Sequence, residues 1–537
     1  MAAETPAAAT TEFSLPNVCA SPPSSFVQPI ALRAPGNARV RLAALLSSQD
    51  SDSFIGQQLQ VCGWSRSVRK QGGGSLCFVV LSDGSTAANL QVVVSSTVPN
   101  FSQLLKCGAG CSFRFCGKVV ESPAKGQKIE LQVSDPDRGD FVEVFGFADG
   151  AKYPLAKKEH SREYLREIAH LRPRTQLIGA VARVRSCLAA ATHRFFQDRG
   201  FLYIHTPIIT CADCEGAGEM FSVTTLLPED SPKREDQSNG SQGGGPSPGE
   251  TQKKEGRRQL ELDFARDFFG RQAYLTVSGQ LAVEPFCCSL GDVYTFGPTF
   301  RAERSHTSRH LAEFWMVEPE MAFCDLEGNM QVAEEYVKFC VRSCLQNCSP
   351  EIDYFEANQE KGLRARLENI LSEPFGRYSY SAAVAALQQQ EAAGEVVFTE
   401  KVRWGMDLGS EHERYLTEKI AKKPVIVFDY PKEIKAFYMK SNPDGKTVRA
   451  MDLLVPKVGE LVGGSQREES LELLDKMLRE KNLNPENYWW YRDLRLFGSI
   501  PHSGFGLGFE RLVMLVTGLE NIRDTIPYPR YPGHAEF

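Results

Sequence analysis

Arginines and carboxylates gather in two stretches more than two hundred residues apart, FRAERSHTSRHLAEFWMVEPEMAF from Phe300 and GFGLGFERL from Gly504. The first crowds Arg301, Glu303, Arg309, His310, Glu313, Glu318 and Glu320 among Phe314, Trp315 and Phe323. An ordinary buried strand cannot satisfy so many polar groups by itself, so something polar must sit against it. A planar guanidinium grips phosphate oxygens bidentately, and carboxylates offer hard oxygens to a divalent cation. The two stretches together point to a nucleotide-phosphate site. Gly504, Gly506 and Gly508 would let backbone approach such a ligand closely.

Elements able to position these residues are legible around them. From about Leu59 to Val144, period-two alternation broken by turn signals gives five short strands, LQVCGWSRSV, LCFVVLSDGS, NLQVVV, CSFRFCGKVV and IELQV. Five strands with an elaborated first loop, RKQGGGS, predict an oligonucleotide-binding (OB) β-barrel over residues 50–148. On its open face Phe78 could stack a base, with Arg66, Arg69, Lys70 and Gln91 reaching phosphates or base edges. The competing reading is a Phe78 in the barrel core and solvated charges in a loop. A charged linker over 149–175 then leads to a long amphipathic helix ending near Gly200, followed by FLYIHTPIIT, a strand containing Pro207. Proline inside a strand marks an edge or a bend. Residues 228–258 lack apolar side chains and read as a disordered insertion, as does the Ala- and Pro-rich tail over 1–45. Strand patterns from Lys423 onward, after helical ones from Asp325, predict an α+β domain over 176–537: an antiparallel sheet flanked by helices.

Composition narrows the classes further. A net charge of -6 argues against a general nucleic-acid coat and leaves room for local RNA contacts. Neither GxGxxG after a strand nor GxxxxGK[ST] occurs, so dinucleotide-fold and P-loop readings lack their signatures. No apolar run of about 18 residues is present, so no membrane span is expected. The 15 cysteines lack a paired spacing and are read as reduced thiols; Cys211 and Cys214 form a lone CxxC, and Cys340, Cys344 and Cys348 recur on one helix face. Packing is favoured over zinc for both sets. Glu411-His412-Glu413-Arg414 lacks the second histidine of a zinc-protease helix and reads as a solvated helix face. The cytoplasm is the expected compartment, with organellar import left open.

The order of helix, FLYIHTPIIT, FRAERSHTSRHLAEF and GFGLGFERL resembles motifs 1, 2 and 3 of the class II aminoacyl-tRNA synthetases. With the N-terminal barrel, the chain is similar to the subgroup charging aspartate, asparagine or lysine, from about residue 55 to the C-terminus apart from the insertion. The resemblance implies that Arg301 clamps the α-phosphate of ATP, Arg511 holds its far end, Phe314 stacks on adenine with Glu303, His310 and Gly508 nearby, and Glu460, with Asp452, holds Mg²⁺. The substrate carboxylate is itself a nucleophile, so the enzyme needs only to align it and stabilise charge at the phosphate. Motif 1, with Pro207, implies a homodimer.

By the same resemblance, Ser278 and Gln280 contact the substrate backbone and Glu215 belongs to a mobile loop closing near the amino group. Aspartate enzymes usually carry a lysine three residues after that glutamine; here the position is Val283. Arg467 facing the carbonyl and Glu318 facing the NH₂ would match the two ends of an amide and reject a carboxylate. Asparagine is therefore the expected substrate and tRNA(Asn) the partner, with Phe78, Arg66 and Gln91 at the anticodon. The ending IRDTIPYPRYPGHAEF also resembles asparaginyl enzymes. Rival expectations are an aspartyl enzyme, an asparagine synthetase on the same core, and a non-catalytic RNA-binding paralogue.

Overall fold

The computed structural model describes residues 39–46, 51–124, 126–155, 160–214, 219–226, 263–305 and 307–537. Glu215, the 228–258 insertion and most of the N-terminal tail lie outside the described residues. The chain divides into two compact units, residues up to Lys158 and from Glu159 onward.

The first unit is the expected barrel. Strands β1 (Gln58–Gln71), β2 (Leu76–Ser82), β3 (Leu90–Ser95), β4 (Ser112–Glu121), β5 (Ile129–Val133) and β6 (Phe141–Gly146) form one sheet in the order β1-β2-β3-β5-β4-β6. Pairing of β1 with β4 closes five of them into the barrel. The sixth adds to β4 outside that ring and was not anticipated from its sequence, FVEVFG, which carries no strict alternation. Alternation along β2 sends Cys77, Val79 and Leu81 into the core with Val61, Val92, Phe113 and Leu131. The expected tail ends sooner than residue 45. Leu42 and Leu45 are buried in this core, and the Leu42 amide donates to Asp83 Oδ2 at 2.9 Å.

In the second unit, folding begins within the expected linker. Arg166 donates to both carboxylate oxygens of the buried Asp524, at 3.0 and 2.8 Å, and the buried Arg172 donates to the Ile526 carbonyl at 2.6 Å. A helix α1 (Gln176–Gln197) follows, capped by Thr175. The expected strand around Pro207 is broken: β7 (Leu202–Tyr203) and β8 (Ile209–Thr210) join different sheets, with the exposed Pro207 between them. Proline has no N–H to offer a ladder, which fits the break.

Strands β9 (Ser222–Val223) and β10 (Ala273–Leu275) complete a small sheet with β8 and lead into helix α2 (Gln280–Leu290). The main sheet is built from β7, β11 (Val293–Phe300), β12 (Glu313–Ala322), β13 (Gly376–Ser379), β14 (Val425–Pro431), β15 (Thr447–Val455), β16 (Gly459–Gln466) and β17 (His502–Gly508). Its order is β13-β14-β15-β16-β17-β12-β11-β7, with only the outermost pair at each edge parallel. Helices α1, α3 (Leu326–Asn347) and α6 (Phe509–Thr517) cover one face, burying Phe195, Tyr336, Val341 and Leu512 against Val317, Met451 and Leu507. Cys340, Cys344 and Cys348 are buried in that layer as free thiols. Between α3 and α6 run α4 (Ser410–Tyr415) and α5 (Trp489–Leu496). No helix among the described residues is long and apolar enough to cross a membrane.

Candidate active site

Period-two geometry decides which residues reach the open face of the sheet. Along β12, Val317 and Met321 face the helices, so Met316, Glu318 and Glu320 face the other way; along β15, Asp452 faces away from Met451 and Leu453. A cavity of about 1090 Å³ opens there, lined among others by Ser278, Gln280, Arg301, His310, Glu318, Asp452, Glu460, Arg467 and Arg511. A smaller adjoining cavity adds Glu303, Phe314 and Gly508. Residues from Ser278 to Arg511 thus converge on one place.

At one end the groups suit phosphates and a base. The Arg301 guanidinium lies 5.4 Å from the Phe314 ring centre, and Glu303 stands 4.0 Å from both Arg301 and His310. His310 Nδ1 lies 2.8 Å from the hydroxyls of Ser305 and Thr307. Burial lowers the His310 pKa, and the cations Arg511, Arg301 and Arg309 lower it further against the opposing pull of Glu303. Arg511 donates to the Glu460 carbonyl at 2.8 Å and to its carboxylate at 3.1 Å. Enclosure pushes the Glu460 carboxyl up, but Arg511 and Lys435 bring it below its ordinary value. Asp452 is raised by burial, against the pull of Lys435 at 2.6 Å.

At the other end the groups suit a small zwitterion. Glu318 accepts from the Ser278 hydroxyl and from the Gly279 amide at 2.9 Å. A Cβ on Gly279 would lie 2.6 Å from Thr206 Oγ1, so only glycine permits this approach. Arg467 is buried, bonded through two nitrogens to Glu320 and at 2.7 Å to Ser465 Oγ. Burial and Glu284 raise the Glu320 carboxyl to about 7 against the pull of Arg467.

Residues 250–532 match the family model described as tRNA synthetases class II (D, K and N), and residues 59–137 match an OB-fold nucleic acid binding domain. An asparagine–tRNA ligase of Protochlamydia amoebophila is 52% identical over 486 residues, covering 90% of this chain and 97% of the relative. The chain belongs to the asparagine–tRNA ligases of class II. One of Haemophilus influenzae is 49% identical, covering 93% of this chain and 100% of its own length. Among solved structures, asparaginyl-tRNA synthetase from Pyrococcus horikoshii complexed with asparaginyl-adenylate superposes with a TM-score of 0.74 at 31% identity, covering 90% of this chain and 97% of that one.

As a synthetase of this family the enzyme uses ATP and a divalent metal, and its carboxylates fit that requirement. Lys435 holds Asp452 Oδ2, Arg511 holds Glu460 Oε2 and the Tyr430 hydroxyl also bonds the Asp452 carboxylate; the remaining pair of oxygens is Glu460 Oε1 and Asp452 Oδ1. Those oxygens converge on the bare face of Gly463, where a Cβ would lie 3.1 Å from Glu460 Oε1 and 3.5 Å from Asp452 Oδ1. No group of three or more metal-type side chains gathers among the described residues. Two hard oxygens suit a cation that completes its shell with phosphate and water.

Several expectations for this synthetase need correction. Gly504 does not open toward a nucleotide: a Cβ there would collide with the Glu320 carboxylate, so its bareness makes room for the Glu320–Arg467 pair. Gly506, by contrast, lines both cavities, with a Cβ there meeting the end of the Met316 side chain, and at Gly508 the nearest atoms to a Cβ belong to Arg511, at 3.7 Å. Val283 lines neither cavity; it packs with Cys287 and Val293. The Glu411–Arg414 run is not a solvated face. His412 is buried, accepting from the Gly409 amide at 3.1 Å and facing the Glu400 carbonyl at 3.0 Å. Glu413 lines the cavity and accepts from the Glu460 amide at 3.1 Å, and burial with Glu460 nearby raises its carboxyl to about 8. Sequence reasoning also missed Lys435, whose only signal was a lysine in an otherwise apolar IKAFY segment.

In the barrel, Phe78 lies half-buried on the outward face of β2, outside the core, opposite Arg69 of β1 and Val93 of β3. Gln91, on the same face, donates to Glu130 at 3.1 Å, which brings in a carboxylate not anticipated there. Arg66 reaches the Ser82 hydroxyl at 3.4 Å.

Proposed function

We propose that the cavity activates L-asparagine with ATP and Mg²⁺ and passes it to tRNA(Asn), with a definite division of labour among its residues. The asparagine carboxylate attacks the α-phosphorus of ATP; pyrophosphate leaves and asparaginyl-AMP remains. The 3′-hydroxyl of the terminal adenosine then attacks the acyl carbon and AMP departs. Arg301 neutralises charge at the α-phosphate, Arg511 holds the far end of the ATP, and Phe314 stacks on adenine beside Glu303, His310 and Gly508. Mg²⁺, held by Asp452 and Glu460, would supply charge neutralisation across the phosphates. Ser278 and Gln280 orient the amino acid, the motif resemblance assigns Glu215 to its amino group, and Glu318 and Arg467 meet its side-chain amide.

What carries the reading is that one cavity is lined by Arg301, Arg511 and Glu460 together with Ser278, Gln280, Glu318 and Arg467. Phe78, Arg66 and Gln91 are assigned to the anticodon, residues 50–148 to the tRNA-reading domain and 176–537 to catalysis. The exposed Leu202, Ile208 and Ile209 beside Pro207 support a homodimer closing over the edge strand β7. The cytoplasm is the compartment assigned. ATP–pyrophosphate exchange across asparagine, aspartate and lysine tests the specificity. Exchange should depend on asparagine, and an aspartate rate comparable to it would defeat the assignment.

A further inference from the structure

Directly after Val283 comes a carboxylate the activation chemistry does not use. Glu284 has no exposed surface, yet five side chains surround it. Its Oε1 accepts from Gln280 Nε2 at 3.0 Å and from the Tyr491 hydroxyl at 2.9 Å. Its Oε2 accepts from Arg495 at 3.2 Å and lies 3.0 Å from His502 Nε2. Arg467 Nε stands 4.0 Å away, between Glu284 and Glu320. His502 Nδ1 faces the Ile500 carbonyl at 2.9 Å, so both ring nitrogens meet acceptor oxygens.

Local sequence explains the arrangement. Gln280 and Glu284 are four residues apart on α2, which stacks their side chains on one face, while Val283 and Cys287 occupy the apolar face. Helix α5 supplies Tyr491 and Arg495, again four apart, to the same point. A buried carboxylate would ordinarily take up a proton. Here burial does push Glu284 up, but Arg495, His502 and Arg467 together hold it well below the usual carboxylate range. It is a fixed anion.

We propose that Glu284 is a specificity-determining positioning residue, which fixes Gln280 and Arg467 for the amino acid and supplies buried negative charge that disfavours aspartate against asparagine. This rests on the asparagine-activating reading above. Val283 lines neither cavity, so the lack of a cation there does not account for a preference against a substrate carboxylate. Glu284, with Glu318, offsets the field of Arg467 and Arg495, so a second carboxylate entering the pocket gains little from either arginine. Charge terms are strong in such an enclosed site because little water screens them.

The test is steady-state ATP–pyrophosphate exchange by the full-length enzyme with asparagine and with aspartate. Glu284→Gln keeps the shape and removes the charge. It should raise the aspartate-to-asparagine ratio of kcat/KM about tenfold or more, equivalent to about 1.4 kcal/mol. Glu284→Asp keeps the charge but withdraws it from Gln280. It should raise the asparagine KM about tenfold through loss of a charge-assisted hydrogen bond, with kcat little changed and the ratio near that of the unaltered enzyme. An unchanged ratio in Glu284→Gln, with both substrates losing equally, would overturn the charge role. Should Glu284→Gln not fold, Glu284→Asp decides: an unchanged asparagine KM overturns the proposal. If the unaltered enzyme shows no asparagine-dependent exchange, the activation reading fails first, whatever Glu284 does.

Discussion

A guanidinium at the end of β11 is worth most where charge grows during the reaction. Arg301 sits beside Phe314 and Glu303, half-enclosed in the cavity, and in the proposed mechanism its partner is the α-phosphate as it gains a fifth oxygen neighbour. Arg301→Ala should slow exchange at least about 100-fold, a loss of about 2.7 kcal/mol, by analogy with one oxyanion donor. The measurement is kcat for asparagine-dependent exchange, and a near-normal value would contradict the role. Arg301, Arg511 and Glu318 stood out in the sequence because they belong to stretches whose polar density could not belong to a core, whereas Glu460, outside both stretches, came only from the resemblance. Glu413 and Glu284 were not. A helix-borne Glu looks the same in sequence whether its face meets water or a buried cation, and Glu284 acquires its partners from α5 and β17, about two hundred residues away.

At the scale of elements, alternation carried most of the information. In β2 it assigns Cys77, Val79 and Leu81 to the core and therefore Phe78 and Val80 to the outside, which removes the core alternative for Phe78. Sequence showed the alternation but not which parity faced inward, because both parities of LCFVVLS are apolar. An outward aromatic opposite Arg69, with Gln91 on the neighbouring strand, is a surface on which a splayed base can stack. Phe78→Ala should weaken tRNA binding by about 1 to 3 kcal/mol and leave tRNA-free exchange unchanged. Equal affinity in a filter-binding or fluorescence titration would dismiss it as a platform. Where alternation failed, pairing geometry explains why: FLYIHTPIIT reads as one strand, yet Pro207 divides it, and β6 hides because its FVEVFG pairs only along one edge.

The whole molecule divides where its labour divides. Each unit has its own core, one centred on Val61, Val79 and Phe113, the other on Phe195, Val317 and Leu512. Every described residue assigned to ATP or asparagine falls between Ser278 and Arg511, inside the second unit, whereas the anticodon candidates all fall in the first. The two-domain plan was therefore readable from composition and periodicity, but its borders shifted: Leu42 and Leu45 extend the barrel unit backward, and Arg166 and Arg172 extend the catalytic unit into the supposed linker. A truncation should respect the second border, because cutting after Arg172 would leave the buried Asp524 without its Arg166 partner. Removal of residues 1–158 should leave asparagine-dependent exchange within about tenfold of the full-length rate, since no cavity residue is lost. Aminoacylation at limiting tRNA should fall by about 10²- to 10⁴-fold, because the tRNA loses one of two linked binding sites. Equal losses in both assays would mean that the barrel supports the catalytic fold and not tRNA capture.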